Sequence, residues 1–177
     1  DYENVRSRFM FNFGDGAVAG LVVGDATRNE VLGSHAITNG AYSLQVKIAA
    51  GGSVEPEGYR FLDVQNPAEM KDGLDQESLP NFVAAARGAV ERSGLTLSDV
   101  SFVCPLHTKR SMFLTLLGEL GLREDQAVYL DDTGHMSGVD SLLGLDRALR
   151  AGRVGDGDVV LLLSAGTGYT WAATDVR

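Results

Sequence analysis

Residues 158–164 read Asp-Val-Val-Leu-Leu-Leu-Ser, an apolar run with no polar residue between its two ends. A strand with one wet face alternates polar and apolar side chains, so this run predicts a strand buried on both faces. Such a strand belongs to a sheet with helices on each side, an α/β architecture. The surrounding pattern agrees. Ser78 can cap a helix with Pro80 in its first turn, Phe82, Ala86 and Val90 recur along it, and Gly94 ends it. A short strand at 100–104 is stopped by Pro105. Met112, Phe113, Leu116, Leu117 and Leu120 form a helical stripe closed by Gly121, and 127–130 read as the next strand. Val139, Leu142, Leu143, Asp146 and Leu149 lie along a further helix closed by Gly152, and 169–175 form a closing strand.

The first part of the chain reads differently. Short apolar runs at 9–13, 17–23, 31–37 and 42–48 are separated by turn residues, including Gly14-Asp15-Gly16, which is the pattern of antiparallel strands. Residues 49–73 show no period and carry Gly51, Gly52, Pro56, Gly58 and Pro67, an irregular loop. With 15 Lys and Arg against 24 Asp and Glu, the net charge of -9 opposes a nucleic-acid partner. No apolar run approaches the ~18–20 residues a membrane span needs. The single cysteine, Cys104, cannot close an internal disulfide, which fits a reducing, cytoplasmic compartment. The chain starts at Asp1 without a basic-then-apolar leader and reads as a processed or truncated piece.

Strand–helix–strand order makes 100–104, 127–130 and 158–164 parallel neighbours, and ligands bind at the carboxyl ends of such strands. Three loops leave those ends: Pro105-Leu106-His107, Asp131-Asp132-Thr133-Gly134-His135 and Ala165-Gly166-Thr167-Gly168. Two of the three histidines therefore fall on one sheet edge beside a glycine turn. Imidazoles can move protons near neutral pH, and a glycine backbone N–H can approach a substrate oxygen. A metal held by His107, His135, Asp131 and Asp132 lacks compact ligand spacing, so no metal is expected. Asp131-Asp132 reads as a loop or capping pair, Cys104 as a small core residue, and His35 as structural. Lys109 and Arg110 open a helix, as a solvated face or an anion contact.

At these residues the sequence resembles the thiolase-fold condensing enzymes, specifically beta-ketoacyl-acyl carrier protein synthase III and its relatives. Phe13-Gly14-Asp15-Gly16-Ala17 is similar to that family's Phe-Gly-Asp-Gly-Ala motif, and Met70-Lys71-Asp72-Gly73 to its Met-Asp-Gly stretch. Val103-Cys104-Pro105-Leu106-His107 resembles the segment with the catalytic histidine, and Gly134-His135 sits where the family has Gly-Asn. Gly152-Arg153-Val154, Gly157-Asp158 and 165–171 resemble the closing Gly-rich signature.

The resemblance implies a thiolase-like fold, a mixed sheet layered with helices, of which this chain holds about half. It implies the tail of an N-terminal half at 1–62 and the C-terminal half at 63–177, with the nucleophilic cysteine and most of a homodimer interface in the absent part. The implied activity is acyl transfer: decarboxylative condensation of an acyl thioester with a malonyl thioester, in fatty acid or polyketide biosynthesis, without a cofactor. The fragment alone should not turn over. His107 and His135 would direct donors at the thioester carbonyl, and Gly168 or Gly166 would supply a backbone oxyanion donor, each such donor being worth ~10²–10³ in rate. Lys109 and Arg110 would contact carrier protein or coenzyme A, replacing a basic residue at the position of Met112. Histidine at 135 departs from the family's asparagine. Elongating synthases of this fold use Cys-His-His, while relatives that acylate oxygen or nitrogen without decarboxylation also depart here. Transfer to a hydroxyl or amine, and a non-catalytic partner subunit, are therefore the alternatives.

Overall fold

The structure, a computed structural model, describes Glu3 and residues 12–177. Strands β1 (Val31–Thr38), β4 (Phe102–Pro105), β5 (Val160–Gly166) and β6 (Thr170–Val176) form one mixed sheet in the order β1-β6-β5-β4. β4 and β5 run parallel, while β6 is antiparallel to both β5 and β1. β2 (Val46–Ile48) and β3 (Leu62–Val64) make a separate two-stranded ribbon.

Helices α1 (Pro67–Arg92) and α2 (Arg110–Leu120) cover one sheet face and α3 (Val139–Arg150) the other. Alternate strand residues serve the two cores. Val103, Leu161, Leu163, Trp171 and Ala173 pack with Phe82, Val90, Phe113 and Leu116. Phe102, Cys104 and Val160 pack with Ala148 and Leu130. The run at 159–163 is sandwiched as its lack of alternation requires. No described helix is long and apolar enough to cross a membrane.

Several boundaries differ from the sequence expectation. α1 starts thirteen residues before Pro80, at an Asn66 cap whose side chain accepts from the Glu69 N–H, so Pro80 lies inside the helix. Pro at the first helical position and an Asn cap are strong start signals, and packing along β1 and β6 carries the helix through Pro80 at the loss of one backbone hydrogen bond. The expected loop 49–73 therefore contains β3 and the first turns of α1. Residues 17–23 form no strand, and Leu21 and Val22 are exposed. Of 42–48, only Val46–Ile48 is strand; Gly40–Tyr42 is a 3-10 turn capped by Asn39. Of the expected strand at 9–13, residues 9–11 lie outside the described residues, and Phe13 makes a one-residue parallel bridge to His135.

Residues 127–130 are likewise no strand. One parallel bridge, Val103 to Ala127, marks their place beside β4. The ladder stops there because the Ala127 carbonyl accepts from Arg153 at 2.8 Å and its N–H bonds the Glu124 carbonyl at 3.2 Å. The loop that follows still leaves from the same edge as the ends of β4 and β5.

Candidate functional site

The carboxyl edge is tied together around α3. The Leu163 carbonyl on β5 accepts from the Leu106 N–H and from the Ser141 hydroxyl, both at 2.8 Å. One residue before Ser141, the fully buried Asp140 accepts through Oδ2 from the His107 N–H at 2.8 Å and bonds His135 Nδ1 at 2.6 Å. Its Oδ1 accepts from the Met136 N–H at 2.7 Å. One carboxylate oxygen thus joins the two histidines that topology placed on this edge. Burial pushes the Asp140 carboxyl up, but hydrogen bonds from His135, His107 and Met136 outweigh it and hold the group below its ordinary value.

His107 and His135 differ in their surroundings. The His107 ring lies 4.9 Å from that of Tyr129, whose hydroxyl donates to the Thr108 carbonyl, and its buried Nδ1 has no hydrogen-bond partner among the described residues. His135 is 23% exposed and meets the Phe13 ring edge-on at 5.3 Å. Its backbone is held on both sides: its N–H donates to the Asn12 carbonyl at 2.7 Å, and its carbonyl accepts from Gly14 at 3.0 Å.

That pairing explains the glycines of 13–16 physically. A Cβ on Gly14 would lie 2.0 Å from the Thr133 carbonyl oxygen, and one on Gly16 would lie 2.6 Å from Met136 Sδ. Gly134, at φ +71°, has its missing Cβ aimed at the Asn12 carbonyl, 2.6 Å away. At Gly14 and Gly134, where the obstacle is backbone, the two segments can lie side by side only without side chains.

Gly166 ends β5, and Gly168 follows in the turn to β6 at φ +143°. A Cβ at either would meet nothing within 4 Å among the described residues. Among the described residues neither hydrogen-bonds to an imidazole; they share only the sheet edge. Lys109 is exposed just before α2. Arg110 is no free cation: it pairs with Glu124 and lies 4.9 Å over the Tyr129 ring and 5.2 Å over that of Phe113. Asp132 is engaged by Arg147 through two hydrogen bonds of 2.7 and 3.1 Å. Among the described residues no three His, Cys, Asp or Glu side chains are grouped to hold a metal. Cys104 is buried against Gly144, and burial pushes its thiol up to about 12, the character of a core residue. A groove of about 850 Å³ lies elsewhere, between α1, His35 and Glu119, and neither His107 nor His135 lines it.

Asp140 is the site residue the sequence reading passed over. The leucine stripe suggested for α3 is half outside: Leu142 is 39% and Leu149 52% exposed. The buried face is Asp140, Ser141, Gly144 and Ala148. Small residues four and eight positions after an aspartate in a first helical turn were the available signal.

A mixed sheet with helices on both faces, and a polar cluster at its parallel edge, is the architecture of the thiolase-like class. The chain superposes with a TM-score of 0.71 on the crystal structure of beta-ketoacyl-[acyl carrier protein] synthase III from Thermus thermophilus, at 25% identity, covering 85% of this chain and 47% of that one. Residues 90–177 match the family described as 3-oxoacyl-[acyl-carrier-protein (ACP)] synthase III C terminal, and this part of the chain belongs to it. Curated relatives include beta-ketoacyl-[acyl-carrier-protein] synthase III of Caldanaerobacter subterraneus, 27% identical over 168 residues, and of Streptomyces lividans, 31% identical over 166 residues. They align with 93% and 92% of this chain, but it spans only 51% and 48% of their lengths. The chain is thus about half as long as the relatives it matches, and the resemblance drawn from its motifs holds.

Proposed function

We propose that this chain is the C-terminal part, with the tail of the N-terminal half, of an acyltransferase of the 3-oxoacyl-(acyl carrier protein) synthase III type. The boundary between the two parts falls at 62/63. In this reading an acyl group passes from a thioester to a cysteine carried by the preceding half. A malonyl thioester then loses carbon dioxide, its enolate attacks the acyl carbon, and the cysteine thiolate leaves. His107 and His135 face the thioester carbonyl oxygen where charge develops, and the loop of Gly166 and Gly168 adds a backbone N–H. The acyl donors are coenzyme A or carrier-protein thioesters. With Arg110 engaged by Glu124, contact with their phosphates falls first to Lys109. The protein acts in the cytoplasm as a homodimer assembled through the preceding half.

The observation that carries the reading is that His107 and His135 share the Oδ2 oxygen of Asp140. The experiment is incubation of the full-length protein with acyl and malonyl thioesters, following acyl-enzyme by intact mass and the release of carbon dioxide with a β-keto product. A His107→Ala variant with undiminished turnover would remove His107 from the mechanism. A full-length protein that never acylates would overturn the whole reading.

A further inference from the structure

The turn between β5 and β6 supplies the backbone donor in the function proposed above, and a donor of that kind works only where it is held still. Gly166 is paired with Thr170 in the strand ladder, which leaves 167–169 as the tip. Among the described residues the tip makes backbone hydrogen bonds outside the strands only through Tyr169, and both go to Asn39. The Tyr169 N–H donates to the Asn39 carbonyl at 2.8 Å, and the Asn39 N–H donates to the Tyr169 carbonyl at 2.9 Å. Whatever fixes Asn39 therefore fixes the residue next to Gly168.

Glu77, half-buried on α1, does so. Its carboxylate accepts from Asn39 Nδ2 through both oxygens, at 3.1 and 2.9 Å, and from the Tyr42 hydroxyl through Oε1 at 3.0 Å. The Asn39 Oδ1 accepts from the Ala41 N–H at 3.0 Å, so the amide is engaged at both ends. The bond to Glu77 is also the leading cause that raises the pKa of the Tyr42 phenol, as a proton held between the two requires. Met70, Gly73 and Glu77 form one stripe of α1. A Cβ on Gly73 would lie 2.1 Å from the Tyr42 hydroxyl oxygen, so that glycine is the gap through which Tyr42 reaches Glu77. The Tyr169 side chain completes the arrangement: its ring meets that of Tyr42 edge-on at 5.7 Å, and its hydroxyl donates to Met70 Sδ at 3.2 Å.

We propose that Glu77 is the positioning residue of the glycine turn, acting through Asn39 on Tyr169 and so on the adjoining Gly168. Among the described residues it hydrogen-bonds to neither imidazole. Its part is to keep the backbone donor in register while charge collects on the thioester carbonyl oxygen. The inference rests on the thioester chemistry proposed above and adds to it a residue from α1, on the sheet face opposite Asp140. The carboxylate is needed because both of its oxygens accept. Glu77→Gln keeps an oxygen for Tyr42 but sets a second NH2 against that of Asn39, donor against donor. Asn39→Asp brings two carboxylates together. With both changes the new amide donates to the new carboxylate, which can still accept from the Ala41 N–H, while the amide oxygen still accepts from Tyr42.

The test uses the full-length protein with acyl and malonyl thioesters, reading kcat and KM for the β-keto product and the final extent of acyl-enzyme by intact mass. Glu77→Gln should lower kcat by ~10–10²-fold, the upper figure being the cost of an ångström of misplacement. KM should stay within about twofold and acylation should still reach completion, the signature of an interaction made only in the transition state. Asn39→Asp should do the same, and Glu77→Gln combined with Asn39→Asp should run faster than either single variant, because the two groups are coupled. A fall in kcat matched by an equal loss of acylatable protein is what a merely structural role gives, and it would overturn the proposal. So would a double variant no faster than the singles. Should Glu77→Gln fail to fold, Tyr42→Phe, which removes one hydroxyl and keeps the ring against Tyr169, must lower kcat about 3- to 10-fold at constant KM, the scale of one hydrogen bond. An unchanged kcat there refutes the proposal. A parent protein that turns over while Glu77→Gln keeps its kcat refutes this inference alone, whereas one that never forms acyl-enzyme refutes the underlying reading.

Discussion

Gly14→Ala tests whether the segment at 12–14 holds His135 in place. The added methyl would lie 2.0 Å from the Thr133 carbonyl oxygen, where ordinary contact begins at 3.4 Å. The obstacle is backbone, so no side-chain rotation relieves it and the segment must back away. Two hydrogen bonds lie in its path, His135 N–H to Asn12 at 2.7 Å and Gly14 N–H to His135 at 3.0 Å. At a net ~0.5–1.5 kcal/mol each, their loss disfavours the docked arrangement by about 1–3 kcal/mol. Amide hydrogen exchange reads that population locally, so protection at His135 should fall by about 5- to 150-fold, the same energies converted at ~1.4 kcal/mol per decade. Gly20→Ala, where a Cβ meets nothing within 4 Å among the described residues, is the control and should leave His135 protection unchanged. Protection in Gly14→Ala within twofold of the parent would refute the reasoning, since the clash would then not exist.

Other consequences are independent of that segment. Cys104, with its thiol pushed up to about 12 by burial, should resist alkylation at pH 8 until denaturant is added; stoichiometric labelling of native protein would contradict its placement in the core. Asp175 is fully buried on β6 and, among the described residues, neither of its carboxylate oxygens has a hydrogen bond, so Asp175→Val should stabilise the protein by ~1–3 kcal/mol in denaturant melts. A loss of stability there would show that the carboxylate has a compensating partner. Asp140, held below its ordinary value by its hydrogen bonds despite burial, contributes stability that is complete above the unfolded carboxylate pKa of ~3.9 and is lost as pH falls through the lower folded value. Acid titration should therefore show the advantage of the parent over Asp140→Asn shrinking below about pH 4, the window that those two values define.

How much of this was legible in the sequence depends on what kind of signal each element carries. The central strand at 158–164 was readable because burial on two faces leaves no room for polar residues. The strand at 31–37 and the closing strand at 169–175 were readable by bounded β-rich runs, and both are present as β1 and β6. The start of α1 was misread because Ser78 and Pro80 imitate a helix opening, while the operative pair, Asn66 and Pro67, sat inside a stretch rich in loop residues. Residues 127–130 have the composition of a strand and the burial of one at Leu130. At Ala127 the carbonyl is taken by Arg153, and no local pattern announces that.

The site divides along the same line. Chain order was enough to bring His107 and His135 to one edge, although 127–130, before the His135 loop, make only a single parallel bridge beside β4. Order cannot say which third group connects them, since that depends on how closely α3 approaches the sheet. Gly144 sets the approach: a Cβ there would come within 3.3 Å of Cys104 Cβ, so the helix already lies nearly as close as its backbone permits. At that distance the residues facing the sheet must be small or must bond to it, which is why Ser141 reaches the Leu163 carbonyl and Asp140 the backbone of His107. Leu142 and Leu149 are displaced outward by the same constraint, while Leu143 and Leu145 stay partly buried against the core. Hydrophobicity ranked the faces of α3 wrongly because size, not polarity, decides which face can enter a space this narrow, and the carboxylate enters with its hydrogen-bonding capacity already matched.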